Sequence, residues 1–284
     1  MTRFLELAIL VTCHPITRQL TVRRVAAKLT ILGSGSAGNS AYLETDEARV
    51  LVDAGFSPRQ IRQRLAGIGR TPENLTAILI THEHSDHTQG LIGIAEKLHI
   101  PVYCNRATAE EIGRQLRAKL DYRLFVTGSG FEVGDIAVES FAVPHDAQDP
   151  VGYLLRTSAG TFGFVTDLGH VTRLVVERVR AANVLVLEAN HDVRMLQDCL
   201  HRPWSLKQRI LSRHGHLSNE AAAEATAEIM SAGLRHLYLG HLSRDCNRPE
   251  LAFGVVQRSL QRIGATHVTL SLTSQSVACP TLTL

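Results

Sequence analysis

The sequence predicts an α/β protein in which two mixed sheets pack face to face with helices outside. Three observations carry this expectation. From Lys28 onward, short apolar runs rich in β-branched residues alternate with amphipathic segments. The early part is strand-rich at hairpin-like spacing while later blocks alternate strand with helix, which suits two packed sheets better than one parallel sheet. The 284 residues, 44% hydrophobic and 20% charged, have ordinary globular composition and enough length to bury a large core.

In chain order, Lys28-Leu29-Thr30-Ile31-Leu32 opens the organised sequence. Strands are expected over Ala41–Thr45, Val50–Asp53, Ala77–Thr81, Pro101–Cys104, Ile136–Val143, Val151–Thr157, Thr161–Asp167, Val184–Glu188, His236–Gly240 and Val268–Leu272. Helices are expected over Pro58–Ile68, Gly90–Leu98, Ala107–Leu120, Thr172–Arg180, Leu206–Ser212, Asn219–Ser231 and Pro249–Arg262. Ser57 caps the first with Pro58 in its first turn, and Ser218 caps the sixth without the acidic half of a capping box. No repeat, low-complexity tract or linker interrupts residues 28–284, which read as one domain. Residues 1–27 match no such pattern and read as an N-terminal extension, either disordered or preceding the true start.

A net charge of +3 and a pI near 8.7 permit a nucleic-acid partner without demanding one. The five cysteines are scattered, with no C-x-x-C spacing, so neither a disulfide framework nor a thiolate metal site is expected, and a reducing cytoplasm fits best. The apolar run Phe4 to Val11 is interrupted by Glu6 and too short to span a bilayer, and basic residues follow it instead of a small-residue cleavage site. Neither a membrane segment nor an export signal is expected.

Immediately after the apolar strand Ala77-Ile78-Leu79-Ile80-Thr81 comes His82-Glu83-His84-Ser85-Asp86-His87. Imidazoles at alternate positions can point the same way, so His82 and His84 can share one ion while Asp86 and His87 face a second. A two-metal centre needs more donors than one motif supplies. His145, Asp167 and His241 each follow an expected strand and provide them from loops that a rigid sheet would hold. Any one of the 14 histidines is more simply a surface or core residue; the ordered set is not.

The series Asp53-Ala54-Gly55, His82 to His87, His145, Asp167 and His241 resembles the metallo-β-lactamase superfamily, whose fold is an αββα sandwich. The resemblance implies that His82, His84 and His145 bind a first metal, Asp86, His87 and His241 a second, and that Asp167 bridges both. It also implies that Asp53 orients ligand histidines from behind, a role with physical sense because a hydrogen bond to the remote ring nitrogen fixes the tautomer. The His/carboxylate set suits two divalent ions, zinc first and manganese or iron as the alternatives.

Further segments narrow the likeness. Leu187-Glu188-Ala189-Asn190-His191 and Gly215-His216-Leu217-Ser218 resemble the proton-delivery segments of ribonuclease Z-like phosphodiesterases, with Leu187 standing where that family has histidine. The whole string from Gly33–Ser40 through Trp204–Arg209 and His214–Glu220 resembles the bacterial YycJ/WalJ-like group, associated with metal-dependent exonuclease activity on DNA. The expectation is therefore a phosphodiesterase whose paired cations hold a bridging hydroxide, with Asp86, Glu188 and His216 in the catalytic centre and His216 protonating the leaving oxygen. Ser36, Asn39, Asn190, Lys207 and Ser243 are expected to contact substrate. Lys207, Arg209, Arg213 and Arg244 are a candidate basic rim and Trp204 a candidate stacking platform, although each is more often a solvated or packing residue. The Gly/Ser loop is a candidate phosphate cradle. The short span from His145 to Asp167 leaves no room for a tRNA-binding arm. The alternatives are a hydrolase of a cyclic phosphodiester or thioester and a non-catalytic binding scaffold.

Overall fold

The computed structural model describes residues 26–284. The expected extension, residues 1–27, lies outside the described residues except for its last two. Of these, Ala27 is buried, and its carbonyl accepts a hydrogen bond from the Leu284 N–H at 3.0 Å.

Strands β1 (Lys28–Gly33), β2 (Ser40–Glu44) and β3 (Arg49–Val52) form an antiparallel meander. Helix α1 (Pro58–Gly67) leads to β4 (Ala77–Leu79). Helix α2 (Ser85–Thr88) and a π-helical turn (Ile92–Glu96) lead to β5 (Val102–Asn105), and α3 (Arg106–Leu116) leads to β6 (Tyr122–Phe125). These three strands add in parallel to β3.

The second sheet repeats the plan. Strands β7 (Gly130–Val133), β8 (Ile136–Ala142), β9 (Val151–Arg156) and β10 (Thr161–Val165) form a meander. Helix α4 (Arg173–Val179) connects to β11 (Val184–Glu188). Helices α5 (Val193–Asp198), α6 (Trp204–Ile210) and α7 (Asn219–Ile229) connect to β12 (His236–Gly240), and α8 (Pro249–Arg262) connects to β13 (Thr269–Leu272). Strands β11 to β13 are again parallel additions. The two-residue β14 (Leu282–Thr283) returns to pair with β1. The sheet orders are β14-β1-β2-β3-β4-β5-β6 and β13-β12-β11-β10-β9-β8-β7.

Alternation along the strands decides the layers. Leu29, Ile31, Val50, Val52 and Leu79 from the first sheet meet Tyr153, Phe162, Phe164, Val184 and Val186 from the second in one inner core. Their neighbours point outward: Leu51 and Ile78 pack with Ile61, Leu65 and Ile112 of the helices on one side. Leu185, Leu187 and Leu239 pack with Val175, Ala222 and Val256 on the other. Each fully buried aliphatic side chain contributes roughly 1.5–3 kcal/mol. A period-2 pattern that is apolar on both faces therefore specifies strands covered on both sides.

The expected α/β class, two packed mixed sheets with helices outside, is the observed one. The hairpin-then-alternating order, however, occurs once in each sheet and not once along the chain. The strands β6, β7 and β14 were not expected: β6 and β7 are four-residue strands at sheet edges, too short to show a period. The helix expected over Gly90–Leu98 is present, with π-helical hydrogen bonding over Ile92–Glu96; the separate short helix Ser85–Thr88 was not expected and lies inside the histidine motif, where the His84 carbonyl accepts from the His87 N–H. The α3 helix stops at Leu116, short of Leu120, because Arg117 adopts a left-handed conformation (φ 51°). The six-residue α5, capped by Asp192, was too short to show a period.

Candidate metal centre

The polar residues singled out from the sequence gather at one end of the sandwich. Asp53 follows β3, Asp167 lies just beyond β10, and His241 follows β12; all three are left-handed, with φ of 62°, 58° and 55°. Aspartate and histidine tolerate this region better than branched residues, yet it is uncommon and clusters at functional sites. Each turn is held by the surrounding structure. The Asp53 N–H donates to the Leu79 carbonyl (2.8 Å), the Leu168 N–H to Glu188 Oε2 (3.1 Å), and the His241 N–H to Ser34 Oγ (2.8 Å).

Three groups of donor atoms form there. His82, His84 and His145 make one, with ligand atoms all within 4.8 Å of one another; Asp86, His87, Asp167 and His241 make a second; Asp167, Glu188, His216 and His241 make a third. Asp167 joins the groups. Its Oδ2 lies 3.2 Å from His87 Nε2, and its Oδ1 lies 3.3 Å from His241 Nδ1, 3.8 Å from His216 Nδ1 and 3.9 Å from His145 Nε2.

These donors fit divalent cations. His145 Nε2, Asp167 Oδ2 and His241 Nε2 are buried without a hydrogen bond, a costly state for polar atoms that a cation would relieve. Burial holds the His82 and His145 pKa values below the ordinary imidazole value, leaving neutral rings with free lone pairs. Burial opposes charge on His87 and His241 too, but the carboxylates of Asp53, Asp167 and Asp86 beside the first, and of Asp167, Asp86 and Glu188 beside the second, raise both well above it. A pocket that draws protons onto imidazoles in this way is one that favours positive charge.

Behind the donors stands a buried scaffold. Asp53 Oδ2 accepts from His87 Nδ1 at 2.8 Å, while Asp53 Oδ1 accepts from the Thr81 N–H at 2.9 Å. Thr81 Oγ1 lies 3.1 Å from His82 Nδ1 and 3.2 Å from His87 Nδ1, so one hydroxyl touches a ring from each cluster. The sequence places Thr81 at the head of the active-site segment Thr81 to His87 but gives it no task of its own. Glu188, fully buried, receives Nδ1 of both His216 (2.8 Å) and His241 (2.7 Å) on Oε1 and the Leu168 and Leu217 N–H groups on Oε2. Burial pushes the Glu188 pKa up, but the two histidines outweigh it and bring it to about 2. Glu188 in turn raises the pKa of His216 against its burial.

The clusters open into a cleft of about 170 Å³ lined by His84, Asp86, His145, Asp167, His216 and His241, with Ser36, Asn190 and Ser243 at its walls. Two residues expected at the substrate do not reach it. Lys207 is buried, and its Nζ donates to the Gln197 carbonyl (2.6 Å) at the end of α5. Asn39 is buried beneath the motif: its Nδ2 lies 3.2 Å from His87 Nε2 and its N–H donates to the Asp86 carbonyl at 2.8 Å, so it supports the centre. The Gly/Ser loop also spends its amides internally, from Ser34 to the Ser274 carbonyl, Gly35 to Asn39 Oδ1, Ala37 to Gln275 Oε1 and Gly38 to the Gly35 carbonyl. Of the candidate basic rim, Arg209 lines the cleft and is ion-paired with Asp146, whereas Arg213 contacts His170. Trp204 is exposed on α6, outside the cleft wall. Asp146 and Arg202 line the cleft and were not foreseen; Asp146 adjoins His145, but nothing in the sequence marks Arg202.

Two facing mixed sheets, helices on both outer faces and paired His/Asp clusters at the strand ends define the class of metal-binding sandwich hydrolases. A family model described as a β-lactamase superfamily domain matches residues 48–242, and the chain belongs to that family. It is 45% identical over 233 residues to exodeoxyribonuclease WalJ of Streptococcus pneumoniae, covering 80% of this chain and 86% of that protein. It is 40% identical over 237 residues to exodeoxyribonuclease YycJ of Bacillus anthracis, covering 83% and 89%. Among solved structures, the metallo-β-lactamase fold protein YhfI from Bacillus subtilis superposes with a TM-score of 0.64 at 17% identity, covering 92% of this chain and all of that one, a likeness of fold. Among the described residues, no helix is long and apolar enough to cross a membrane.

Proposed function

We propose that this chain is a metal-dependent phosphodiester hydrolase that degrades DNA from its ends. His82, His84 and His145 hold one divalent cation and Asp86, His87 and His241 a second, with Asp167 shared between them and zinc as the resident metal. A bound pair of cations supplies Lewis acidity toward the phosphoryl group and activates water. The protein's side chains do the rest. Asp53 and Glu188 fix the tautomers of His87 and His241, so that each presents Nε2 to the centre. Glu188 also favours the charged form of His216, the group that passes a proton to the departing oxygen.

One observation carries the reading: a histidine–glutamate pair stands against the shared carboxylate, with His216 Nδ1 3.8 Å from Asp167 Oδ1. That placement supports His216 as the proton donor beside residues able to hold metal. The substrate class is supported by two relatives named exodeoxyribonucleases that align over 86% and 89% of their own lengths. A metal-reconstituted screen over end-labelled single- and double-stranded DNA, RNA and small phosphodiesters tests it. Release of nucleotides from DNA ends is expected, and inert DNA beside a hydrolysed small diester would refute it.

Two substitutions separate the roles. His216→Ala is expected to slow DNA cleavage by about 10²–10⁴-fold, the range for loss of a general acid. It should slow bis-p-nitrophenyl phosphate hydrolysis far less, because nitrophenolate departs without a proton. Equal losses on both substrates would show that His216 is not the acid. Asp53→Asn removes the charge behind His87 and is expected to weaken metal binding about 10–100-fold, read by competition with a chromophoric chelator. Unchanged affinity would mean that Asp53 serves only the turn.

A further inference from the structure

The cleft at the clusters does not end there. A second cavity of about 440 Å³ adjoins it, and Ser36, Arg202 and Ser243 line both. Beyond that shared wall the lining mixes polar side chains, among them Ser34, Gln275, Asn247 and Arg244, with the apolar Leu242 and Pro249. It sits between the Gly/Ser loop after β1, the turn after β12 and the segment after β13, so its walls come from both sheets. Gln275 joins two of these walls, its Oε1 accepting from the Ala37 N–H (2.8 Å) and its Nε2 donating to the Gly38 carbonyl (2.9 Å).

Its charges are unevenly committed. Arg202 is tied to Asp245 at 3.3 Å, whereas Arg244 is exposed and makes no ion pair among the described residues. A free cation beside serine hydroxyls and side-chain amides suits the sugar–phosphate part of a nucleotide. The wall shared through Ser36, Arg202 and Ser243 gives a strand whose phosphodiester lies at the clusters a route into this hollow.

Resting on the hydrolase reading above, the geometry points to this second cavity as the subsite for the nucleotide next to the cleaved bond, with Arg244 on that nucleotide's phosphate. The subsite makes the enzyme a reader of polymers: a diester with nothing attached on that side uses the cleft alone.

The test measures binding of a fluorescent single-stranded oligonucleotide to full-length protein in EDTA, across a range of salt. Arg244→Ala is expected to weaken binding several-fold, uniformly across base sequences, and to reduce the slope of log affinity against log salt by about 0.7, one phosphate contact on a single strand. Ala37→Trp, at an exposed position on the cavity wall, fills the hollow; it should weaken binding without changing that slope. In the metal-loaded enzyme, both should lower the ratio of DNA cleavage to bis-p-nitrophenyl phosphate hydrolysis. If the wild type binds the oligonucleotide and both variants match it in affinity and slope, the subsite is wrong while the hydrolase reading stands. If the wild type neither binds nor cleaves DNA, both fall.

Discussion

Asp167→Asn should abolish DNA cleavage while leaving a folded protein. Asparagine retains the shape and tolerates the left-handed backbone at this position (φ 58°), so the turn after β10 survives. What disappears is the charge shared by the clusters. Asp167 lies within 4 Å of His87, His145, His216 and His241, and these surroundings hold its carboxyl well below the usual carboxylate range despite burial. An uncharged amide leaves two cations without their common counter-charge. Several kcal/mol of lost transition-state stabilisation corresponds to a fall of about 10³-fold or more. Turnover, metal content and circular dichroism measured on one preparation check this. Near-wild-type turnover in the folded variant would remove Asp167 from the chemistry.

The second large effect is expected at a residue that supplies no ligand atom. In Asp53-Ala54-Gly55, the glycine lies against the histidine motif: its N–H donates to the Asn39 carbonyl (2.9 Å), and the Asn39 N–H donates to the Asp86 carbonyl (2.8 Å). A β-carbon on Gly55 would overlap the Asp86 carbonyl and stand 2.7 Å from the Asn39 nitrogen. All of these are backbone atoms, so no flexible side chain can yield. Gly55→Ala should therefore cost more than the roughly 1–3 kcal/mol of ordinary overpacking and displace Asp86 and His87 together. Thermal unfolding and metal titration read the two consequences. A variant with the wild-type melting temperature and metal affinity would show that these segments are free to separate.

These cases show what was legible in the sequence and what was not. Donors such as His82, Asp167 and His241 were readable because each follows an apolar run that had to be a strand, and strand ends share one edge of a sheet. Glu188 and His216 were readable from their segments, although Glu188 proves to serve His241 as much as His216. Asn39 and Lys207 were misplaced because composition tells that a side chain is polar, not which way a loop turns it. Lys207 faces inward to close the end of α5, a short helix with no visible period. Arg202 was missed for a related reason: it is brought to the cleft only by tertiary folding. Edge strands β6 and β7 escaped because four residues are too few to show a period.

The donors do not come from one leaf of the sandwich. His82, His84, Asp86 and His87 stand on the connections of the first sheet, and His145, Asp167 and His241 on those of the second. An ion held by donors from both would act as a rivet through the two leaves, and its affinity would become part of the folding equilibrium. At a hundred times its dissociation constant, a ligand that binds only the folded state adds about 2.7 kcal/mol to stability. On that reading metal supply would govern how long the molecule endures as well as how fast it works, a coupling that unfolding curves with and without chelator would expose.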